Sequence, residues 1–187
     1  QLPNIPNSLG VAGPIAGIHK NALIVAGGAN FAKPYWESDK QWHKDLYVMI
    51  LDSPSPNWQK AGELPYAVGY AACVSTSHGI VAIGGNDSTT TFNNTTLIQW
   101  HGDSGTVVLH QLPSLPTTLV YAQAAFVGDS VYVFGGQTGA TLDTATNNVW
   151  RLNLTSFGSG KPLSWQQLKP PPWSERAFNV VATHERR

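Results

Sequence analysis

Three stretches of the sequence run through apolar residues and stop on a pair of glycines: ALIVAGG, GIVAIGG and SVYVFGG. The second glycine of each pair is residue 28, 85 or 136, so the pairs recur 57 and 51 residues apart. Self-similarity at a period near 50 residues indicates a repeat architecture, in which one supersecondary unit packs on the next. We therefore interpret the chain as successive copies of one unit.

Each unit contains four short segments rich in Val, Ile, Tyr and Trp and bounded by Gly, Pro, Asn and Asp, which predicts an all-β meander with little helix. A strand of small and apolar residues comes first, the diglycine strand second, and two more strands follow a polar loop. Where neighbouring sheets converge a Cβ has no room, and glycine also accepts the backbone angles of a strand end. We predict that the glycine pairs serve this structural purpose.

The order of motifs resembles kelch β-propellers over the whole length, because the paired glycines are followed by D-x-Y or N-x-W in the third strand and by Trp in the fourth. The resemblance implies four-stranded antiparallel blades arranged around an axis. Since propellers have about 4–8 blades, we expect this chain to be part of one, completed by further blades of the protein or of another chain. The predicted boundaries are the end of an outer strand at 1–9, blades at 10–65, 66–116 and 117–172, and the first strand of a fourth blade at 173–187.

A narrower resemblance rests on GVAGPIAGIHKNALIVAGGANF, followed by WHKDLYV and WQKAGELP. These segments are similar to one blade of the N-acetylneuraminate epimerases, the bacterial sialic acid mutarotases, whose propellers resemble six-bladed ones. The blade lies late in better-known members and comes first here, as in a cyclically permuted branch. This resemblance covers the first two units, whereas the third is generic kelch. It implies a periplasmic or secreted bacterial protein.

Composition and charge exclude several function classes. Eleven basic and eleven acidic residues cancel, so there is no basic face for nucleic acid. The longest apolar runs fall short of the ~20 residues that span a bilayer. The six His show no paired ligand spacing, and the one cysteine, Cys73, is expected to be a buried, inert thiol. We therefore expect neither a metal nor another cofactor.

Topology indicates where a ligand should bind. In an antiparallel blade the second-to-third loop and the fourth-to-first connection fall on the same face, and loops on rigid scaffolds carry function. The long loops are 29–44, 86–95 and 137–147. The candidate substrate-binding residues on these loops and connections are Asn30, Trp36, Glu37, His43, Asn86, Tyr121, Gln137 and Arg176. Each also has a structural alternative, such as packing between blades, capping a turn or facing solvent.

The resemblance implies that the chemistry is exchange between the α and β anomers of sialic acid through the open-chain ketone. This needs an acid, a base and a cation for the carboxylate, ideally Arg. The family's suspected Glu and Arg pair is expected on a blade after residue 187, so no catalytic residue is assigned, and Glu37 is the nearest substitute. We expect residues 1–187 alone to be inactive. The alternatives are a kelch module that binds protein or glycan, and another carbohydrate-active kelch enzyme.

Overall fold

The structure is a computed structural model that describes residues 2–184, and it is built from fourteen short strands in this part of the chain. Residues 2–184 also contain one turn of 3-10 helix, Leu142–Thr144, and no helix that is both long and apolar enough to cross a membrane. The strands are β1 Ile15–His19, β2 Ala22–Ala26, β3 Ala29–Phe31, β4 Lys40–Trp42, β5 Asp45–Ile50, β6 Trp58–Glu63, β7 Ala72–Thr76, β8 Gly79–Ile83, β9 Thr95–His101, β10 Thr106–Leu112, β11 Gln123–Val127, β12 Ser130–Phe134, β13 Val149–Asn153 and β14 Trp165–Leu168.

Twelve of these strands form three antiparallel sheets of four, in the orders β1-β2-β5-β6, β7-β8-β9-β10 and β11-β12-β13-β14. Each sheet is a blade, and the first strands of successive blades, β1, β7 and β11, lie beside one another. The remaining strands, β3 and β4, form a hairpin between the second and third strands of blade 1. The predicted all-β kelch architecture is confirmed.

The core lies between the blades. Ile24 and Leu46 of blade 1 pack with Ile80 and Ile98 of blade 2, and a second cluster fills the space between blades 2 and 3. Strand β8, with the sequence GIVAI, is buried at every position because blade 2 has a neighbour on both faces. An unbroken apolar run is what a doubly covered strand requires, since successive side chains point to opposite faces.

The glycine pairs occupy the close approach between blades, as predicted. The first glycines, Gly27, Gly84 and Gly135, have φ values of 65°, 65° and 61°. A Cβ at Gly84 would overlap the carbonyl oxygen of Leu119, which belongs to the connection into the next blade. The N–H of the neighbouring Gly85 donates to that same oxygen at 2.7 Å. Neighbouring blades are therefore joined by a close backbone contact, and this contact requires glycine.

The segments at the two ends have no regular strand. Residues 2–9 pass along the outer strand of blade 1, where the indole N–H of Trp58 donates to the Pro3 carbonyl at 3.0 Å. Residues 173–184 are likewise not in a sheet. The strand predicted over 173–187 is therefore not formed at 173–184, because no second strand in the described residues pairs with this segment, and 185–187 lie outside the described residues.

A buried histidine joins blades 1 and 2. His19 is 6% exposed at the end of β1, and its Nδ1 accepts the backbone N–H of Trp100 in β9 at 2.9 Å. Burial lowers the pKa of His19, and the nearby Lys20 and His101 charges act in the same direction. A protonated Nδ1 could not accept this hydrogen bond. The folded chain therefore favours the neutral imidazole.

This linkage predicts that acid weakens the fold through His19. In the unfolded chain the imidazole takes up its proton near its ordinary pKa of about 6.5, before the folded form does, so stability is retained above that pH and declines below it. We expect the midpoint of unfolding to be lower at about pH 5 than at about pH 7.5. The decrease should be smaller in His19→Gln. The exposed His184→Gln serves as control, and an equal pH dependence in all three proteins would contradict the assignment.

Candidate functional site

The long loops and the connections between blades share one face, as the topology predicted. Asn86, directly after the second glycine pair, exchanges two backbone hydrogen bonds of 2.9 Å with Gly69 in the connection from blade 1. Gln137, in the same position of blade 3, pairs in the same way with Val120. This face is therefore built jointly by neighbouring blades.

A series of equivalent positions lies on this face, three of them just before the first strands of the blades. We call Gly13, Tyr70, Tyr121 and Phe178 the inner-ring positions, and all four have left-handed φ values of 56° to 59°. Backbone bonds join them in series: Tyr70 N–H to Gly13 O at 2.7 Å, Tyr121 N–H to Tyr70 O at 3.2 Å, and Phe178 N–H to Tyr121 O at 2.9 Å. Left-handed backbone is costly for aromatic residues, and here these bonds between blades hold it.

The inner-ring aromatic side chains form a continuous ladder. The ring centroids of Tyr70 and Tyr121 are 5.0 Å apart, and those of Tyr121 and Phe178 are 4.3 Å apart. Trp42 of β4 extends the ladder at the other end, edge-on to Tyr70 at 5.8 Å. At Gly13 the ladder has no side chain, because the Tyr70 ring fills the place of a Cβ. The predicted site residue Tyr121 is thus the middle of this ladder.

The β3–β4 hairpin places a lysine against the ladder. The Lys40 ammonium lies 4.3 Å from the Tyr70 ring centroid and 4.6 Å from that of Trp42. Two cavities adjoin Lys40. One, of about 470 Å³, is also lined by Asn30, Tyr35 and Tyr70, and the other, of about 330 Å³, by Trp42 and residues 86–91.

Asn30 lines the first of these cavities and is hydrogen-bonded to His43, which does not itself line it. The Nε2 of His43 donates to the Asn30 side-chain oxygen at 2.9 Å. The Asn30 amide nitrogen in turn donates to the Gly10 carbonyl at 2.7 Å and to the Asn7 side chain at 3.2 Å. These bonds fasten residues 7–10 beside the cavity. Asn30 therefore shapes the wall of this cavity, and both residues remain predicted substrate contacts.

Asn86 and Gln137 occupy equivalent backbone positions but have different surroundings. Asn86 lines the cavity of about 330 Å³, and its buried side-chain oxygen has no hydrogen-bond partner among residues 2–184. Gln137 is 2% exposed, and its amide nitrogen donates to the Thr141 carbonyl at 2.6 Å. The Gln137 side chain thus holds its own loop together and does not face either cavity at Lys40.

The other three predicted residues are not gathered at Lys40. Trp36 is 82% exposed at the turn of the hairpin, where its indole N–H donates to Glu37 at 3.1 Å. Arg176 lies on the flank of blade 3, with its guanidinium 5.2 Å from the Trp173 ring centroid, beside a cavity of about 370 Å³. The Arg176 carbonyl accepts a hydrogen bond from the Gly136 N–H, just as the Leu119 carbonyl accepts one from the Gly85 N–H. Arg176 is therefore equivalent to Leu119, at a position that packs between blades.

Two further groups bear on the chemistry. Cys73, in β7, is half-buried and free; its thiol donates to the Ala16 carbonyl at 3.5 Å, and burial raises its pKa, which disfavours the reactive thiolate. Burial also raises the pKa of Tyr66, whose ring packs on Phe92. No group of three His, Cys, Asp or Glu in the described chain is arranged to hold a metal ion.

Sequence reasoning missed Lys40 and the role of Tyr70. The available signal was the alternation Lys40-Gln41-Trp42, because residues two apart in a strand point to the same face. That signal depends on recognising β4, and the polar, aromatic loop 29–44 was interpreted without a hairpin. The role of Tyr70 could not be predicted from local sequence, because it depends on contacts with two other blades.

Comparison with known families agrees with this architecture. The profile of the family described as N-acetylneuraminate epimerase matches residues 2–107, and that of the Kelch motif matches residues 119–156. The first match covers blade 1 and all of blade 2 except most of strand β10, and these blades carry the hairpin and nearly all the residues that line the two cavities at Lys40. The fold and the repeated inter-blade contacts define a kelch β-propeller. Within that class, the chain belongs to the N-acetylneuraminate epimerase family, as the resemblance in its first two units predicted.

Individual relatives match the same part of the chain. The N-acetylneuraminate epimerase of Yersinia pestis (strain Pestoides F) is 30% identical over 105 residues, which is 50% of this chain and 26% of that protein. Those of Vibrio vulnificus (strain YJ016) and Pasteurella multocida (strain Pm70) are 34% and 36% identical over 87 and 89 residues, each 41% of this chain and 22% and 23% of the relative. The matched part of the chain thus spans about a quarter of the length of these curated relatives.

Proposed function

We propose that the full-length protein is a sialic acid mutarotase, which interconverts the α and β anomers of N-acetylneuraminate. The observation that carries this proposal is the family match over residues 2–107, because the blades it covers also supply the loops around Lys40. The cavity of about 470 Å³ there combines aromatic rings, an amide and a cation. Its size and mixed lining suit a small polar ligand.

The reaction requires no net redox change. A base removes the proton of the anomeric hydroxyl, the bond between the anomeric carbon and the ring oxygen breaks, and an acid protonates that oxygen to give the open-chain ketone. Reclosure on the other face of the ketone reverses these transfers and yields the other anomer. The protein's task is to position the acid and the base and to orient the sugar.

One observation favours a second candidate, a kelch module that binds a glycan without chemistry. Among the described residues, no Asp, Glu or His lines the cavity of about 470 Å³. Lys40 and Asn30 could hold a sugar acid there, but the proton transfers need further groups. A mutarotase must therefore bring its acid and base to this cavity from elsewhere in the protein.

Exchange spectroscopy separates the two candidates. The full-length protein is added to N-acetylneuraminate, and proton NMR follows exchange between the resolved signals of the two anomers. A mutarotase gives an exchange rate that rises in proportion to protein concentration. Binding with exchange no faster than in buffer contradicts the mutarotase and supports the module.

The exposed hairpin turn supplies a prediction of its own. If Trp36 covers the bound sugar, Trp36→Ala should slow anomer exchange roughly 2- to 10-fold, which corresponds to the loss of one aromatic contact. If the Glu37 carboxylate exchanges a proton with the sugar, Glu37→Gln should also slow the exchange. Leu142→Ala, on another exposed loop, is the control. Rates unchanged in both hairpin variants would mean that this turn has only a structural part.

For location we propose the bacterial periplasm, because the resemblance of this chain to the N-acetylneuraminate epimerases implies an exported protein. Fractionation of cells that express the natural gene tests this directly. Recovery with the periplasmic fraction supports the proposal, and recovery only with cytoplasmic markers contradicts it.

A further inference from the structure

Lys40 is held in place by aromatic rings. Its ammonium lies within 5 Å of the ring centroids of both Trp42 and Tyr70, at distances where the negative face of an aromatic ring attracts a cation. Trp42 and Tyr70 are themselves in edge contact. The lysine therefore presents its charge from a position beside these two rings.

The charge of Lys40 has no partner within the described chain. Lys44 and Lys60 of blade 1 form ion pairs of 2.6 to 3.0 Å with Glu63 and Asp45, whereas no carboxylate of residues 2–184 pairs with Lys40. Asp87 lines one of the adjoining cavities, but its Oδ1 already accepts two backbone N–H groups of its own turn at 2.8 Å. A ligand anion would thus meet an ammonium that has no ion-pair partner among the described residues.

The surroundings of Lys40 specify the kind of anion. The cavity of about 470 Å³ is walled by Phe31, Tyr35 and Tyr70, with Asn30 as a neutral polar group, and Lys40 is the one cationic side chain among its described lining residues. Aromatic walls suit the apolar face of a sugar ring, and one ammonium balances the charge of one carboxylate but not the several charges of a polyphosphate. The arrangement fits a monocarboxylate sugar.

We propose that Lys40 binds the carboxylate of the sugar acid and thereby selects N-acetylneuraminate over uncharged sugars. This inference rests on the proposed function. It gives Lys40 the role of the carboxylate-binding cation, for which the sequence analysis expected an arginine. The ladder of Trp42 and Tyr70 positions the ammonium, and the sugar ring lies against the aromatic wall of the cavity. Lys40 contributes to affinity and selectivity, while the proton transfers fall to other groups.

The test compares the acid with its methyl ester, which keeps the sugar and removes the charge. Dissociation constants for N-acetylneuraminate and the ester are measured by calorimetry on full-length wild type, Lys40→Met, Lys40→Arg and Lys33→Met. Lys33→Met is the matched control, because it removes the same charge from the same hairpin. We expect Lys40→Met to weaken binding of the acid about 10- to 100-fold, the worth of a charged hydrogen bond.

The ester shows whether the variants are intact. We expect wild type and Lys40→Met to bind the ester equally, Lys40→Arg to retain most of the affinity for the acid, and Lys33→Met to behave as wild type. Equal affinity of wild type and Lys40→Met for the acid overturns the assignment of Lys40 alone. A wild type that binds neither acid nor ester overturns the proposed function and this inference with it.

Discussion

Gly84→Ala is expected to destabilise the protein by roughly 3 kcal/mol or more. Two costs add at this residue. Its φ of 65° is left-handed, which costs a residue with a Cβ about 1–2 kcal/mol. The new methyl group would also overlap the Leu119 carbonyl oxygen, a backbone atom that cannot move without opening the contact between blades 2 and 3.

Gly105→Ala separates the two costs. Gly105 has nearly the same φ, 63°, but a Cβ there would meet no atom within 4 Å. Only the conformational cost of about 1–2 kcal/mol should remain. The free energies of unfolding in urea provide the comparison. Equal losses in the two variants would show that the close approach of the blades does not require glycine.

Leu119→Ala is the second large effect, with an expected loss of about 2–5 kcal/mol. Leu119 is 1% exposed and packs in the cluster between blades 2 and 3, beside Val133 and Leu152. Truncation removes apolar contacts and leaves a cavity that the rigid sheets on both sides can fill only in part. Urea unfolding of the variant measures the loss directly.

The control for this substitution is Leu142→Ala. Leu142 is 72% exposed in the 3-10 turn of blade 3, so its truncation should change stability by no more than about 0.5 kcal/mol. A loss at Leu119 as small as that at Leu142 would contradict the description of the inter-blade core. It would imply that the blades hold together mainly by backbone hydrogen bonds.

The fold was predictable because its signals are local and repeated. Each diglycine strand ends on the backbone angles that its glycines permit, and the four-strand pattern recurs with little variation. The hairpin β3–β4 was not predictable in the same way, since Lys40-Gln41-Trp42 is short and the equivalent loops of blades 2 and 3 form only the isolated bridges Asn86–Thr91 and Gln137–Ala145. Strand β4 pairs with Ala29–Phe31, which directly follows the first glycine pair.

The candidate site was predictable only in outline. Topology placed the long loops on one face, where Asn30 and Asn86 line the cavities beside Lys40 and His43 is hydrogen-bonded to Asn30. The directions of individual side chains were not available from spacing. Gln137 follows a glycine pair as Asn86 does, yet its side chain is buried in its own loop, because the 3-10 turn of that loop supplies a carbonyl that the shorter loop of blade 2 lacks.

We propose that the sugar acid binds on the face with the long loops, between the hairpin and the aromatic ladder. A crystal structure of the full-length protein with N-acetylneuraminate tests it most directly. We expect a carboxylate oxygen within about 4 Å of the Lys40 ammonium, with the sugar beside Tyr70. A sugar bound on the opposite face, which carries the short turns, or at the blade 3 flank beside Arg176 would contradict it.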